Sequence, residues 1–97
     1  MNQGALDDIK VLELGTQVSA PYCAKLLADY GAEVIKVEPP GEGDPARRAG
    51  PFPADVPHRE KSGLFLHLNA NKKGITLNLQ CRDGAGLLKE LVREADI

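Results

Sequence analysis

Apolar positions along the chain change rhythm several times, and each rhythm predicts an element. Residues 9–14 form a short, near-continuous apolar run ended by Gly15, the pattern of a strand covered on both faces. Ala20, Cys23, Ala24, Leu27 and Tyr30 then recur at three- and four-residue spacing, which predicts a helix with that stripe on the sheet and with Lys25 and Asp29 in water. Ser19 is placed to cap its start, Pro21 suits a first turn where its missing N–H has no partner, and Gly31 fits a left-handed stop. Residues 33–38 read as a second strand with Val34, Ile35 and Val37 as its apolar members, ending at Pro39-Pro40. Residues 11–47 are therefore a β-α-β unit followed by a proline- and glycine-rich loop.

Residues 39–61 hold six of the seven prolines yet also Phe52 and Val56, so the stretch reads as a loop wrapped against another surface rather than as a linker. Residues 62–73 support two readings. Leu64, Leu66 and Leu68 alternate as in a strand, whereas Ser62 could cap a short helix, and a crossover must cover the sheet before the next parallel strand. Residues 74–79, with Ile75, Leu77 and Leu79 alternating against Thr76 and Asn78, predict that strand. Asp83 is placed to cap a last helix whose buried stripe would be Leu87, Leu88, Leu91, Val92 and Ala95. Glu94-Ala95-Asp96-Ile97 reads as the end of that helix turning towards another strand, so the expectation is one α/β domain over residues 1–97, its parallel sheet incomplete, within a longer chain.

Composition narrows the function classes. A net charge of −2 from 12 basic and 14 acidic residues offers no global basic field for nucleic acid or an anionic membrane, so any anion must be held locally. No apolar run approaches membrane-spanning length, and the polar opening residues lack a secretory-signal pattern. Cys23 and Cys81 show neither metal-ligand nor disulfide-framework spacing. No metal site is expected, and a reducing cytoplasm is the expected setting.

In open α/β sheets a ligand sits at the carboxyl ends of the strands, which points to residues 15–19 and 38–48. The turn Gly15-Thr16-Gln17-Val18-Ser19-Ala20 leads into a helix N-terminus that favours a phosphate or carboxylate, although a plain strand-to-helix turn has the same pattern. The dinucleotide fingerprint is half present: Gly15 and Ala20 fit, Gln17 takes a glycine position, and Glu38 lies where a ribose would be held. A nicotinamide-binding oxidoreductase domain is thus one open reading. Glu42, Asp44, Arg47 and Arg48 form a charged cluster that suits either solvent or phosphate, and Asn69-Ala70-Asn71-Lys72-Lys73 is a loop with two candidate cations. Cys23 on the buried stripe reads as a packed thiol, and His58 and His67 as structural.

VLELG, the SAP turn, LLADYGAEVIKVEPPGEGDPAR, NANKKGITLNL and GLLKELVREADI, in that order over nearly the whole chain, resemble the N-terminal segment of family III CoA-transferases, a group that includes the α-methylacyl-CoA racemases. The resemblance implies a Rossmann-like parallel sheet with flanking helices, incomplete here, as the coenzyme A-binding part of a larger, homodimeric subunit. It implies Thr16, Gln17 and Ser19 as the CoA-contacting turn, Arg47 as the loop arginine, and Asn71, Lys72, Lys73 and Leu77 near the adenine and phosphate end. Where some members carry an arginine after the strand-2 glutamate, this chain has Pro39, which shifts phosphate recognition towards Arg47, Arg48 or Lys73. The implied activity moves CoA from an acyl-CoA to a carboxylic acid acceptor through an enzyme-bound acyl group. The catalytic carboxylate, or the racemases' acid-base pair, belongs to chain beyond these residues. The alternatives are a racemase, a non-catalytic truncated CoA-binding or dimerisation module, and the nicotinamide domain.

Overall fold

A computed structural model describes residues 4–97. Strands β1 (Lys10–Glu13), β2 (Glu33–Glu38) and β3 (Lys73–Thr76) form a parallel sheet in the order β1-β2-β3. Val11 lies beside Val34 and Glu13 beside Lys36, while on the other side of β2 Ile35 pairs with Lys73 and Glu38 with Thr76. Helix α1 (Ser19–Asp29) crosses from β1 to β2, α2 (Gly63–Leu68) precedes β3, and α3 (Arg82–Glu94) follows it. The loop after β2 contains two short 3-10 turns, Pro45–Arg48 and Pro53–Asp55.

One sheet face carries the dry core. Val11 and Val34 meet Ala24 and Ala28 of α1 and Ala32 after it, with Leu6, Ile9 and Leu27 packed around them. The small residues let α1 approach the strands closely, and Gly31 at φ 108 provides the left-handed exit expected of it. The opposite face is thinly covered: α3 brings Leu91 and Ala95 over Leu12 and Ile35. Beyond α3 the amides of Asp96 and Ile97 donate to Lys10 O, and Leu12 N donates to Ile97 O, extending the ladder along the edge of β1 away from β2.

Strand β2 has the expected bounds, and the ambiguous stretch is a helix. Buried Ser62 caps it by accepting from Phe65 N at 3.1 Å, so the crossover requirement outweighs the alternating leucines. Other details differ from expectation. Ser19 is the first helical residue rather than the cap, because Gln17 at φ 63 turns the chain into helix geometry one position earlier. Pro21, Ala24 and Ala28 are buried, whereas Ala20, Cys23 and Tyr30 are exposed. Their flank of α1 overhangs the outer edge of β1, and Cys23 lines a groove there with Leu14 and Ile97 instead of packing as a core thiol.

Strand β3 is shorter and begins one residue earlier than expected. Leu77 N still donates to Glu38 O, but the chain then turns as Cys81 N donates to Asn78 O, and buried Gly84 packs against Asn78 where a Cβ would collide with its carbonyl. Cys81 rather than Asp83 therefore caps α3, its Sγ accepting from Gly84 N. Leu87 and Val92 face outward, leaving Leu88, Leu91 and Ala95 as the half-buried stripe.

Around the carboxyl half of β2 the core becomes ionic. Lys36, 2% exposed, places Nζ 2.9 Å from Glu13 Oε2 and 2.8 Å from Asp44 Oδ2. The Asp44 contact is an ion pair without hydrogen-bond alignment, and that oxygen has no other partner among the described residues. Lys72 Nζ reaches the second Glu13 oxygen at 2.6 Å and also donates to Pro21 O and Asn69 Oδ1. Glu38 accepts both forks of Arg47 at 2.7 Å and the Asp44 amide at 2.8 Å, and the guanidinium lies 3.8 Å from the centre of the Phe65 ring. Gly43, at φ 68, is needed where the loop passes Glu38 because a Cβ there would strike the carboxylate. Ser62 fastens the loop after β2, its hydroxyl facing the Ala46 and Ala49 carbonyls.

Removing one member of a buried ion network leaves its partners uncompensated. Lys36→Met should therefore lower unfolding free energy by about 3–5 kcal/mol, against at most about 0.5 kcal/mol for Lys25→Ala in the α1 surface pair, compared by urea denaturation. The Arg47 guanidinium holds the Glu38 carboxyl below its ordinary 4.5. Burial would raise Asp44, but the Ala46 amide, Lys36 and the Gln17 amide outweigh it and keep it below 3.8. Both groups thus add stability that is complete above their ordinary values and lost as pH falls through the lowered folded ones. Glu38→Gln should be clearly less stable than the parent at pH 7, with the gap in urea midpoint narrowing on acidification below pH 4.

Candidate functional site

All three strands deliver their carboxyl ends to one rim, made by the turn at 14–18, the loop from Pro39 and the connection from Leu77 to Cys81. A cavity of about 500 Å³ opens there, walled by Leu14, Val37, Pro39, Pro40, Leu77 and Leu79 and edged by Glu38, Asn78 and Gln80. Its walls are aliphatic, Asn78 and Gln80 are neutral, and the charge of the Glu38 carboxylate is offset by Arg47. Such a slot suits a flat or aliphatic group with a few hydrogen-bonding edges.

The start of α1 lies at the same end of the sheet. Val18 caps the helix without a side-chain hydrogen bond, no acidic residue lies in the first turn, and residues 16–20 are exposed. Free amides and the positive dipole end favour an anionic group at this position. Gln17 takes a left-handed conformation and donates its amide to Asp44 Oδ1 at 2.9 Å. The turn after β1 is thereby fastened to the loop after β2.

The structure brings four expected site residues to this rim: Thr16, Gln17 and Ser19 on the turn, and Leu77 in the cavity wall. The other four lie elsewhere or are engaged. Arg47 is bound to Glu38 and also donates to Arg59 O and Glu60 Oε1. Lys72 is sunk against Glu13, where burial pushes its ammonium down while Glu13 favours the charged form. Asn71 precedes β3, at φ 67, and donates to Asp29 Oδ1 at 2.8 Å. Lys73 opens β3 and pairs with Glu33 at 2.9 Å, at the amino half of the sheet. His58 and His67 are exposed, and no group of three metal-ligating side chains occurs among the described residues.

Sequence reasoning missed Lys36, Glu13 and Asp44 as a unit. A signal was present: Lys36 interrupts the otherwise apolar VIKV, and Glu13 interrupts VLEL. A lone charge on the inner face of a covered parallel strand needs a buried counter-charge. What the sequence lacked was the register that sets the two side by side.

The chain matches the profile of "CoA-transferase family III" over residues 6–97. It is 49% identical over 94 residues to the succinyl-CoA–D-citramalate CoA-transferase of Chloroflexus aurantiacus, covering 95% of this chain and 22% of that protein. Over 92 residues it is 42% identical to the (R)-2-hydroxy-4-methylpentanoate CoA-transferase of Clostridioides difficile, covering 95% of this chain and 23% of that one. Among solved structures, a CAIB/BAIF family protein from Brucella suis superposes with a TM-score of 0.85 at 36% identity, over 98% of this chain and 25% of that one. The chain thus spans about a quarter of the length of the relatives it matches. The open parallel sheet, its flanking helices and these matches place it: the chain belongs to CoA-transferase family III.

Proposed function

We infer that this chain is the coenzyme A-binding, N-terminal part of a CoA-transferase that moves CoA from an acyl-CoA to a carboxylic acid through an enzyme-bound acyl group. The observation that carries the reading is the rim itself: an aliphatic slot of about 500 Å³ and, at the same end of the sheet, a helix N-terminus without an acid. CoA has complementary chemistry, with a flat adenine and an apolar arm joined through phosphates. Leu14, Leu77 and Leu79 serve as the slot, Asn78 and Gln80 as its hydrogen-bonding edges, and Thr16, Gln17 and Ser19 as the anion-facing turn. Arg47 and Lys72 act through their ion pairs, holding the loop and the turn in place. Asn71 and Lys73 remain assigned to CoA on the family resemblance alone. The names of the relatives, all CoA-transferases, support the same reaction class.

The nucleophilic carboxylate comes from outside these 97 residues. In this reading it attacks the donor thioester to give a mixed anhydride and CoA thiolate, and the thiolate attacks the enzyme-side carbonyl, expelling the donor acid and leaving an enzyme–CoA thioester. The acceptor carboxylate displaces CoA from it as a second anhydride, and the thiolate attacks the acceptor's acyl carbonyl to give the new acyl-CoA and the free enzyme carboxylate. The complete subunit works as a homodimer in the cytoplasm. Against a nicotinamide domain stands the state of Glu38: both its oxygens are taken by Arg47 and the Asp44 amide, leaving no free carboxylate for a ribose. No helix among the described residues is long and apolar enough to cross a membrane.

The complete subunit, mixed with succinyl-CoA and a panel of carboxylic acids, should yield a new CoA thioester by mass spectrometry, while the 97-residue chain alone yields none. Exchange of α-deuterium in a 2-methylacyl-CoA with no transfer to any acid would instead establish the racemase. Leu77→Asp sets a carboxylate in the slot wall and should weaken CoA binding to the complete subunit by about tenfold or more, read by calorimetric titration.

A further inference from the structure

Resting on that reading, we propose that Asp44 is a positioning residue for the CoA-binding turn. It is 1% exposed, yet it holds the backbone of Gln17, which stands exposed on the turn before α1. One of its oxygens, Oδ1, accepts the Gln17 amide at 2.9 Å and the Ala46 amide at 2.8 Å. The other sits 2.8 Å from Lys36 Nζ, which fixes the carboxylate's rotation. Gln17 is held at φ 63, a left-handed conformation that residues with a Cβ adopt at a steric cost and that persists only where surrounding contacts enforce it.

Gln17 and Asp44 stand 27 positions apart with all of α1 and β2 between them, so this contact is a clamp between two separate edges of the rim. Its base is the sheet. Lys36 lies beside Glu13 in the β1–β2 register, so both ends of the clamp are referred to paired strands. Releasing Asp44 frees the Gln17 peptide to relax to negative φ, which reorients the Gln17 side chain and the amides that lead into α1. The slot walls themselves do not depend on it.

The test is a double-variant cycle in the complete subunit, with CoA affinity read by calorimetry and kcat by thioester exchange. Asp44→Asn presents an amide to Lys36 and loosens the clamp. It should weaken CoA binding by about tenfold when residue 17 is Gln. In the Gln17→Gly background the same change should have at most about a twofold effect, since glycine holds left-handed φ unaided. Equal losses in both backgrounds, in protein of matched folded fraction, would overturn the proposal. Ser62→Ala is the stability control: it loosens the same loop from below without touching Gln17 and should leave CoA affinity unchanged.

Should Asp44→Asn not fold, Gln17→Pro and Gln17→Gly decide the matter with Asp44 intact. Proline forbids positive φ and removes the donated N–H, so its CoA affinity should fall about tenfold or more below that of Gln17→Gly, and equal affinities would refute the clamp. Failure of the unaltered subunit to bind CoA would instead remove the underlying functional reading.

Discussion

The Lys36 ammonium, buried between Glu13 and Asp44, is the interaction on which the rim depends. A charge at that depth is tolerated only with counter-charges in contact, so its presence dictates where two other segments must be. Glu13 is supplied by the neighbouring strand, which makes the contact a check on register. Asp44 is supplied by the loop after β2, which makes the same contact a check on loop placement. Around this centre Glu38, Arg47 and Phe65 form a second unit, and Lys72 ties the start of β3 back to β1 through the free oxygen of Glu13.

This arrangement explains why a long, proline-rich loop takes a definite path. Its anchors are Asp44 beneath the turn, Arg47 on Glu38, and the Ala46 and Ala49 carbonyls over the Ser62 hydroxyl. Ser62 also caps α2, so the crossover helix and the loop are secured by one side chain. The dry core under α1 stabilises the β-α-β unit, while the ionic layer above it orients the segments that face the slot. The dry core and the charges that fix the turn and the loop thus occupy adjacent levels of one sheet face.

Much of the fold was legible because its signals are local. The 33–38 strand, the α1 helix with its Gly31 stop, and the amphipathic α3 follow from periodicity and from residues suited to helix ends. The errors also have local causes. Periodicity identified a stripe of α1 but not its exact rotation, so Cys23 and Tyr30 were assigned to a core that a three-stranded sheet is too narrow to extend beneath them. Alternating leucines in 62–68 imitated a strand because a six-residue helix is too short to display its own period. For the site, the turn at residues 15–20 was legible from its pattern, and the fold sets it at the strands' carboxyl ends together with Leu77, a position that only the family resemblance singles out. The occupied states of Arg47 and Lys72 were hidden, because a cation's partner is a property of space rather than of spacing.

The sequence by itself determined the α/β class, the β-α-β unit and the end of the sheet at which the turn and the long loop gather, since these follow from residue periods and from the direction of parallel strands. Tertiary structure alone decided which charges meet. Glu13, Lys36, Asp44 and Lys72 are dispersed over sixty residues of chain, and only strand register and loop closure bring them within contact. The physical reason is range: hydrophobic patterning acts through neighbours three or four positions apart, whereas a buried charge selects its partner through a few ångströms of space, whatever the separation along the chain.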